Sequence, residues 1–132
     1  MPKKKILVVE DDKFNFMLIQ TLFSKYNFKF LSAMDGQEGV NMCKENAEIE
    51  IVFMDIRLPK MDGIEATKLI KQFRPKLPVI VLTAYALKSD EERIMKCGCD
   101  AYLTKPLSAA KLFETLNKFT ITDALVTSDL VA

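Results

Sequence analysis

Histidine is absent from this 132-residue chain, and cysteine occurs only at Cys43, Cys97 and Cys99. The first absence excludes a mixed Cys/His metal site, and an odd cysteine count does not close into a disulfide framework. Reduced, partly buried thiols are the expectation. Cys97-Gly98-Cys99 has no second pair with which to complete a zinc site, and Gly98 reads more naturally as the end of a helix. An excess of one charge is lacking too: 19 Lys and Arg against 18 Asp and Glu leave a net charge of +1. Nothing global then draws the chain to nucleic acid or to an anionic membrane. The basic run Lys3-Lys4-Lys5 reads as a solvated lead-in to a strand. No apolar run approaches the roughly 20 residues that a bilayer-spanning helix needs, and no signal-peptide core stands near Met1. A cytoplasmic location without membrane insertion is therefore the default expectation.

What is present is a globular balance, 49% hydrophobic and 28% charged, in a length that suits one compact domain. Ile6-Leu7-Val8-Val9 is a short β-branched run that ends abruptly in Glu10-Asp11-Asp12, the pattern of a buried parallel strand delivering acids to its C-terminal edge. Asp12 is placed to cap a helix whose apolar positions Phe14, Met17, Leu18 and Leu22 carry it to about Tyr26. Phe28 to Leu31 alternates like a strand, and Asp35-Gly36 turns into a helix over Gln37 to Glu45. Ile49 to Met54 is the next buried strand and closes on Asp55. Leu58-Pro59 and Asp62-Gly63 then make a loop, so no helix begins where Asp55 could cap it. Ile64 to Phe73 reads as a helix ended by Pro75 and Pro78, and Val79 to Leu82 as a strand ending at Thr83. Ser89 to Cys97 is a charged helix, Ala101 to Leu103 a short strand, and Ser108 caps a helix to Lys118.

Five strands alternating with five helices predict an α/β doubly wound parallel sheet covered on both faces. Ligands in such folds bind outside the carboxyl ends of the strands. That edge collects Glu10, Asp11, Asp12, Asp55, Thr83 and, after the fifth strand, Lys105. Carboxylates gathered there repel one another, and a divalent cation offsets the repulsion. An all-oxygen ligand set suits Mg²⁺. Lys105 can pair with Asp55 and with an added phosphate, and Thr83 can hydrogen-bond the same group.

Over about residues 4 to 118 the pattern resembles the receiver domain of bacterial response regulators. The matching motifs are Val8-Val9-Glu10-Asp11-Asp12, Met54-Asp55 followed by Leu58-Pro59-Lys60-Met61-Asp62-Gly63, Leu82-Thr83-Ala84, and Lys105-Pro106. The resemblance implies a flavodoxin-like strand order 2-1-3-4-5, with residues 1–118 as the receiver and 119–132 as a C-terminal tail or linker. It implies that Asp55 is the phosphoacceptor and that Mg²⁺ is held by Asp11, Asp55 and the Arg57 main-chain carbonyl, with Glu10 acting through water. It implies that Thr83 and Lys105 contact the phosphoryl group and that Lys105-Pro106 is a cis peptide. Tyr102 matches the switch aromatic that follows Thr83 inward. Bulky Arg57 and Tyr85 occupy positions that tune hydrolysis of the acyl phosphate.

The expected partners are a histidine kinase or histidine phosphotransfer protein, as phosphoryl donor, and a downstream protein bound on the face of the fourth helix, fifth strand and fifth helix. A monomer or a weak, phosphorylation-dependent homodimer is expected, and turnover of an external substrate is not. A haloacid-dehalogenase-type phosphatase needs an acid where Arg57 stands. A flavodoxin-like cofactor site would be repelled by Glu10-Asp11-Asp12. The remaining alternative is a receiver-fold interaction module that acts without phosphorylation, whose usual mark, loss of an acid, Thr or Lys, is missing here.

Overall fold

The computed structural model describes residues 4–84 and 88–120. Five strands alternate with five helices: β1 (Lys4–Val9), α1 (Lys13–Leu22), β2 (Phe28–Ala33), α2 (Gly36–Glu45), β3 (Ile49–Asp55), α3 (Gly63–Phe73), β4 (Val79–Thr83), α4 (Lys88–Lys96), β5 (Ala101–Thr104) and α5 (Ala109–Phe119). The strands form one parallel sheet in the order β2-β1-β3-β4-β5, as the resemblance implies.

Period-two alternation explains how the sheet takes helices on both faces. On β1, Ile6 and Val8 point to one side, where they join Ile51, Phe53, Leu112 and Leu116 beneath α1 and α5. Leu7 and Val9 point to the other, with Val52, Met54, Val40 and Ile70 beneath α2 and α3. A smaller cluster of Ile64, Val81, Ile94 and Cys97 seats α4 beside α3. Both faces being buried, the central strands are almost continuously apolar, so the few polar groups at their ends stand out.

Helix caps fix where the chain leaves that edge. Asp12, Asp35, Asp62 and Ser108 each accept a hydrogen bond from a first-turn backbone N–H of α1, α2, α3 and α5, satisfying a donor that would otherwise be orphaned. α1 stops at Leu22 rather than near Tyr26. Phe23 is fully buried, its ring 5.9 Å from Phe53 and 5.5 Å from Phe113, and the Tyr26 N–H turns back to the Phe23 carbonyl. β2 extends to Ala33, beyond Leu31, because the Glu10 N–H continues the ladder onto the Ala33 carbonyl at 3.0 Å. Gly98 follows α4 with φ +88°, the left-handed conformation that glycine adopts without a Cβ clash.

No described helix is long and apolar enough to cross a membrane. The stretch after Thr120, read from sequence as a tail or linker, lies outside the described residues, as does Tyr85.

Candidate functional site

The site begins with backbone register. Val9 pairs with Met54 across β1 and β3, and Asp55 pairs with Leu82 across β3 and β4. Glu10 and Asp55 are therefore delivered side by side where those strands end. One ligand oxygen from each of Glu10, Asp11 and Asp55 lies within 4.8 Å of the others. Asp12 stands apart from this group: its Oδ1 accepts from the Phe14 N–H at 2.9 Å and caps α1.

Lys105 arrives from the far side. Its backbone N–H donates to the Thr83 carbonyl at 2.7 Å, and its peptide with Pro106 is cis. The ammonium bridges the two buried acids, 2.9 Å from Glu10 Oε1 and 3.3 Å from Asp55 Oδ1. Glu10 Oε1 also accepts from the Asn15 amide at 2.8 Å, a contact from α1 that sequence motifs did not signal. Thr83 is buried at the end of β4.

The loop after β3 is held against the phosphoacceptor candidate. The Gly63 N–H donates to the Ile56 carbonyl at 2.8 Å, and a Cβ on Gly63 would lie 1.9 Å from the Asp55 carbonyl oxygen. Only glycine permits that approach, which closes the loop over the strand end. A cavity of about 410 Å³ opens there, lined by Asp55, Arg57, Thr83, Lys105, Asp62 and Arg93 among others. The larger hollow, about 760 Å³, lies at the opposite edge of the sheet between Pro75 and Thr120 and contains none of these groups.

Electrostatics test whether a cation suits the acidic cluster. Burial, reinforced by the neighbouring Asp55, pushes the Glu10 carboxyl up to about 7, against the opposing pull of Lys105. Glu10 Oε2 is buried and has no hydrogen-bond partner, a state that costs free energy unless a donor or cation meets it. Three converging carboxylates with one such orphaned oxygen, and no sulfur or nitrogen ligand, fit hard Mg²⁺. Glu10, Asp11 and Asp55 are the side chains that could hold it.

Tyr102 is half-buried on β5, and its hydroxyl donates to Glu91 Oε1 of α4 at 3.2 Å. Of the apolar positions that mark α1 in the sequence, Phe14 and Met17 are 71% and 60% exposed, while Ile19 is fully buried. Met17 lines a small hollow with Glu10, Phe16 and Met34, so an apolar patch adjoins the acidic cluster. The involvement of Arg93 was also not legible, because its approach to Asp62 at the start of α3 is set by how α3 and α4 pack.

Comparison with known proteins agrees with this geometry. A family model described as the response regulator receiver domain matches residues 6–117. The polar-differentiation response regulators DivK of Brucella ovis and Brucella anthropi are 35% and 36% identical, over 88% and 90% of this chain and 95% and 97% of theirs. The receiver domain of a Pseudomonas aeruginosa sensor histidine kinase, with a magnesium ion coordinated in its active-site cleft, is 31% identical with a TM-score of 0.80, covering 89% of this chain and 98% of that one. A chain from the co-crystal structure of the Saccharomyces cerevisiae histidine phosphotransfer protein Ypd1 with the receiver domain of Ssk1 is 30% identical with a TM-score of 0.81, covering 96% and 94%.

Proposed function

Because the chain belongs to the response regulator receiver domain family of two-component signalling, we propose that it is a switch thrown by transfer of a phosphoryl group from a phosphohistidine onto Asp55. The observation that carries this reading is the Lys105 ammonium shared between Asp55 and Glu10 at the buried strand edge. A carboxylate held beside a fixed cation, in a cavity open to a phosphorylated donor, is arranged for attack at phosphorus.

One Asp55 carboxylate oxygen forms the new O–P bond while the donor's N–P bond breaks, its electron pair returning to the imidazole nitrogen. Lys105 stays protonated throughout and sits where charge accumulates on the transferring oxygens, a contribution that preorganisation makes large. Thr83 donates its hydroxyl to the product. Asp11, Asp55 and the Arg57 main-chain carbonyl would hold Mg²⁺, with Glu10 acting through water, and the ion would supply further charge neutralisation. Arg57 and Tyr85 then screen the acyl phosphate from water and set its lifetime. The chain assists its own modification and does not turn over an external substrate.

Its donor is a histidine kinase or histidine phosphotransfer protein, which rests on the exposed Phe14–Met17 patch beside the site. Contacts of Thr83 and Lys105 with the phosphoryl group favour one of two conformations of the α4, β5 and α5 face, where Tyr102 and Glu91 meet, and a downstream protein reads that face. Incubation with acetyl phosphate and Mg²⁺ followed by peptide mapping tests the reading. One phosphoryl group on the peptide containing Asp55 is expected, and a label placed elsewhere contradicts it.

A further inference from the structure

Arg93 projects from α4 to the rim of the cavity that holds Asp55, Thr83 and Lys105. Its guanidinium is 3.9 Å from Asp62 Oδ2, on the cap of α3, and 4.0 Å from Asp90 Oδ1, one turn earlier on its own helix. Both distances are well beyond the roughly 2.7–2.9 Å of a direct charge-assisted hydrogen bond. The side chain is 57% exposed, so water weakens both pairs further and leaving them is easy. Arg93 is thus a loosely held cation facing a polar cavity.

A phosphoryl group on Asp55 would bring about two negative charges into that space. Asp62 and Asp90 already stand on its rim and would repel the group. Lys105 is committed in part to Glu10 at 2.9 Å. A guanidinium presents a planar fork of donors that suits phosphoryl oxygens as well as carboxylates, and the two carboxylates it now faces stand at 3.9 and 4.0 Å.

We propose that Arg93 is a second cationic ligand of the phosphoryl group on Asp55, exchanging Asp62 for the phosphoryl oxygens and so tying α4 to the modified site. The inference rests on the reading of Asp55 as phosphoacceptor. In the reaction with acetyl phosphate, an Asp55 oxygen forms the O–P bond as the P–O bond to acetate breaks, and the electron pair leaves with acetate. Arg93 donates N–H bonds and neither gains nor loses a proton. The exchange gives α4 a direct link to the phosphoryl group, independent of Thr83 and Tyr102.

The experiment is a double-mutant cycle read as the initial rate of phosphorylation by acetyl phosphate with Mg²⁺, for the wild type, Arg93→Gln, Arg93→Lys, Asp62→Asn and the double variant Asp62→Asn/Arg93→Gln. Asp62→Asn keeps the α3 cap, because Oδ1 accepts the Glu65 N–H and Asn caps as well as Asp. Loss of one charge-assisted contact predicts that Arg93→Gln reacts about tenfold more slowly, with Arg93→Lys in between. Asp62→Asn, which frees Arg93, should accelerate the reaction more when Arg93 is present than when it is Gln. A wild-type rate for Arg93→Gln overturns the proposal, and so does equal acceleration by Asp62→Asn in both backgrounds, which would make Arg93 a mere counter-charge to the rim. A wild type that takes no phosphoryl group at all overturns the reading of Asp55 along with it.

Discussion

The Lys105 ammonium lies 3.3 Å from Asp55 Oδ1, although β4 separates the two residues in the sheet. The bond of the Lys105 N–H to the Thr83 carbonyl makes this reach possible, and the same ammonium holds Glu10. Replacing it by Lys105→Ala leaves two buried carboxylates facing each other. In metal-free protein the loss should be about 1–3 kcal/mol of stability, the range for a broken charged hydrogen bond that strands its partner. Saturating Mg²⁺ should restore much of it. Urea melts with and without Mg²⁺ measure both, and a variant as stable as wild type without metal would count against the bridge.

The Glu10 carboxyl gives the stability a pH dependence of known sign. Its folded value, raised by burial to about 7, exceeds the ordinary 4.5, so between those values the folded chain keeps a proton that the unfolded chain has released. Stability from this group is present at low pH and lost as pH rises through 7. The melting temperature of metal-free protein should fall by roughly 5 °C or more between pH 5 and pH 8, and Mg²⁺ should shrink the fall by favouring the carboxylate. Glu10→Gln should flatten the profile; an unaltered slope in that variant would remove Glu10 as its cause.

The strand-end residues were legible because a parallel strand buried on both faces is written as an apolar run, and Val8-Val9-Glu10 and Phe53-Met54-Asp55 break that run abruptly. The exposure of Phe14 and Met17 was not legible. Helical periodicity marks apolar positions without saying which side they take, and α1 spends its core-facing side on Ile19, with Phe23 just beyond it, leaving Phe14 outside. The reach of Arg93 to Asp62 depends on how α4 seats through Ile94 against Ile64 and Val81, a distance that no local pattern encodes.

That exposed patch predicts a separation of two reactions. Phe14→Ser with Met17→Ser should slow phosphoryl transfer from a histidine phosphotransfer protein about tenfold or more, since exposed apolar anchors carry much of an interface's energy. Acetyl phosphate needs no docking surface, so its reaction should be unchanged. Equal slowing with both donors would place the defect in the site and not in docking.

Arg57 lines the Asp55 cavity, and Tyr85 stands two residues after Thr83 in the sequence. If their bulk excludes water from the acyl phosphate, Arg57→Ala and Tyr85→Ala should each shorten its lifetime several-fold, followed as loss of the phosphorylated mass after removal of donor. Decay at the wild-type rate in both variants would show that neither residue screens the phosphate.

If Asp55 carries the phosphoryl group, the intact mass of wild type and Asp55→Asn after incubation with acetyl phosphate and Mg²⁺ must differ. The amide keeps the shape of the side chain and removes the nucleophilic carboxylate. One added phosphoryl group on the wild type and none on Asp55→Asn is the predicted result. A wild type that gains nothing, or an Asp55→Asn protein that gains as much, would contradict it.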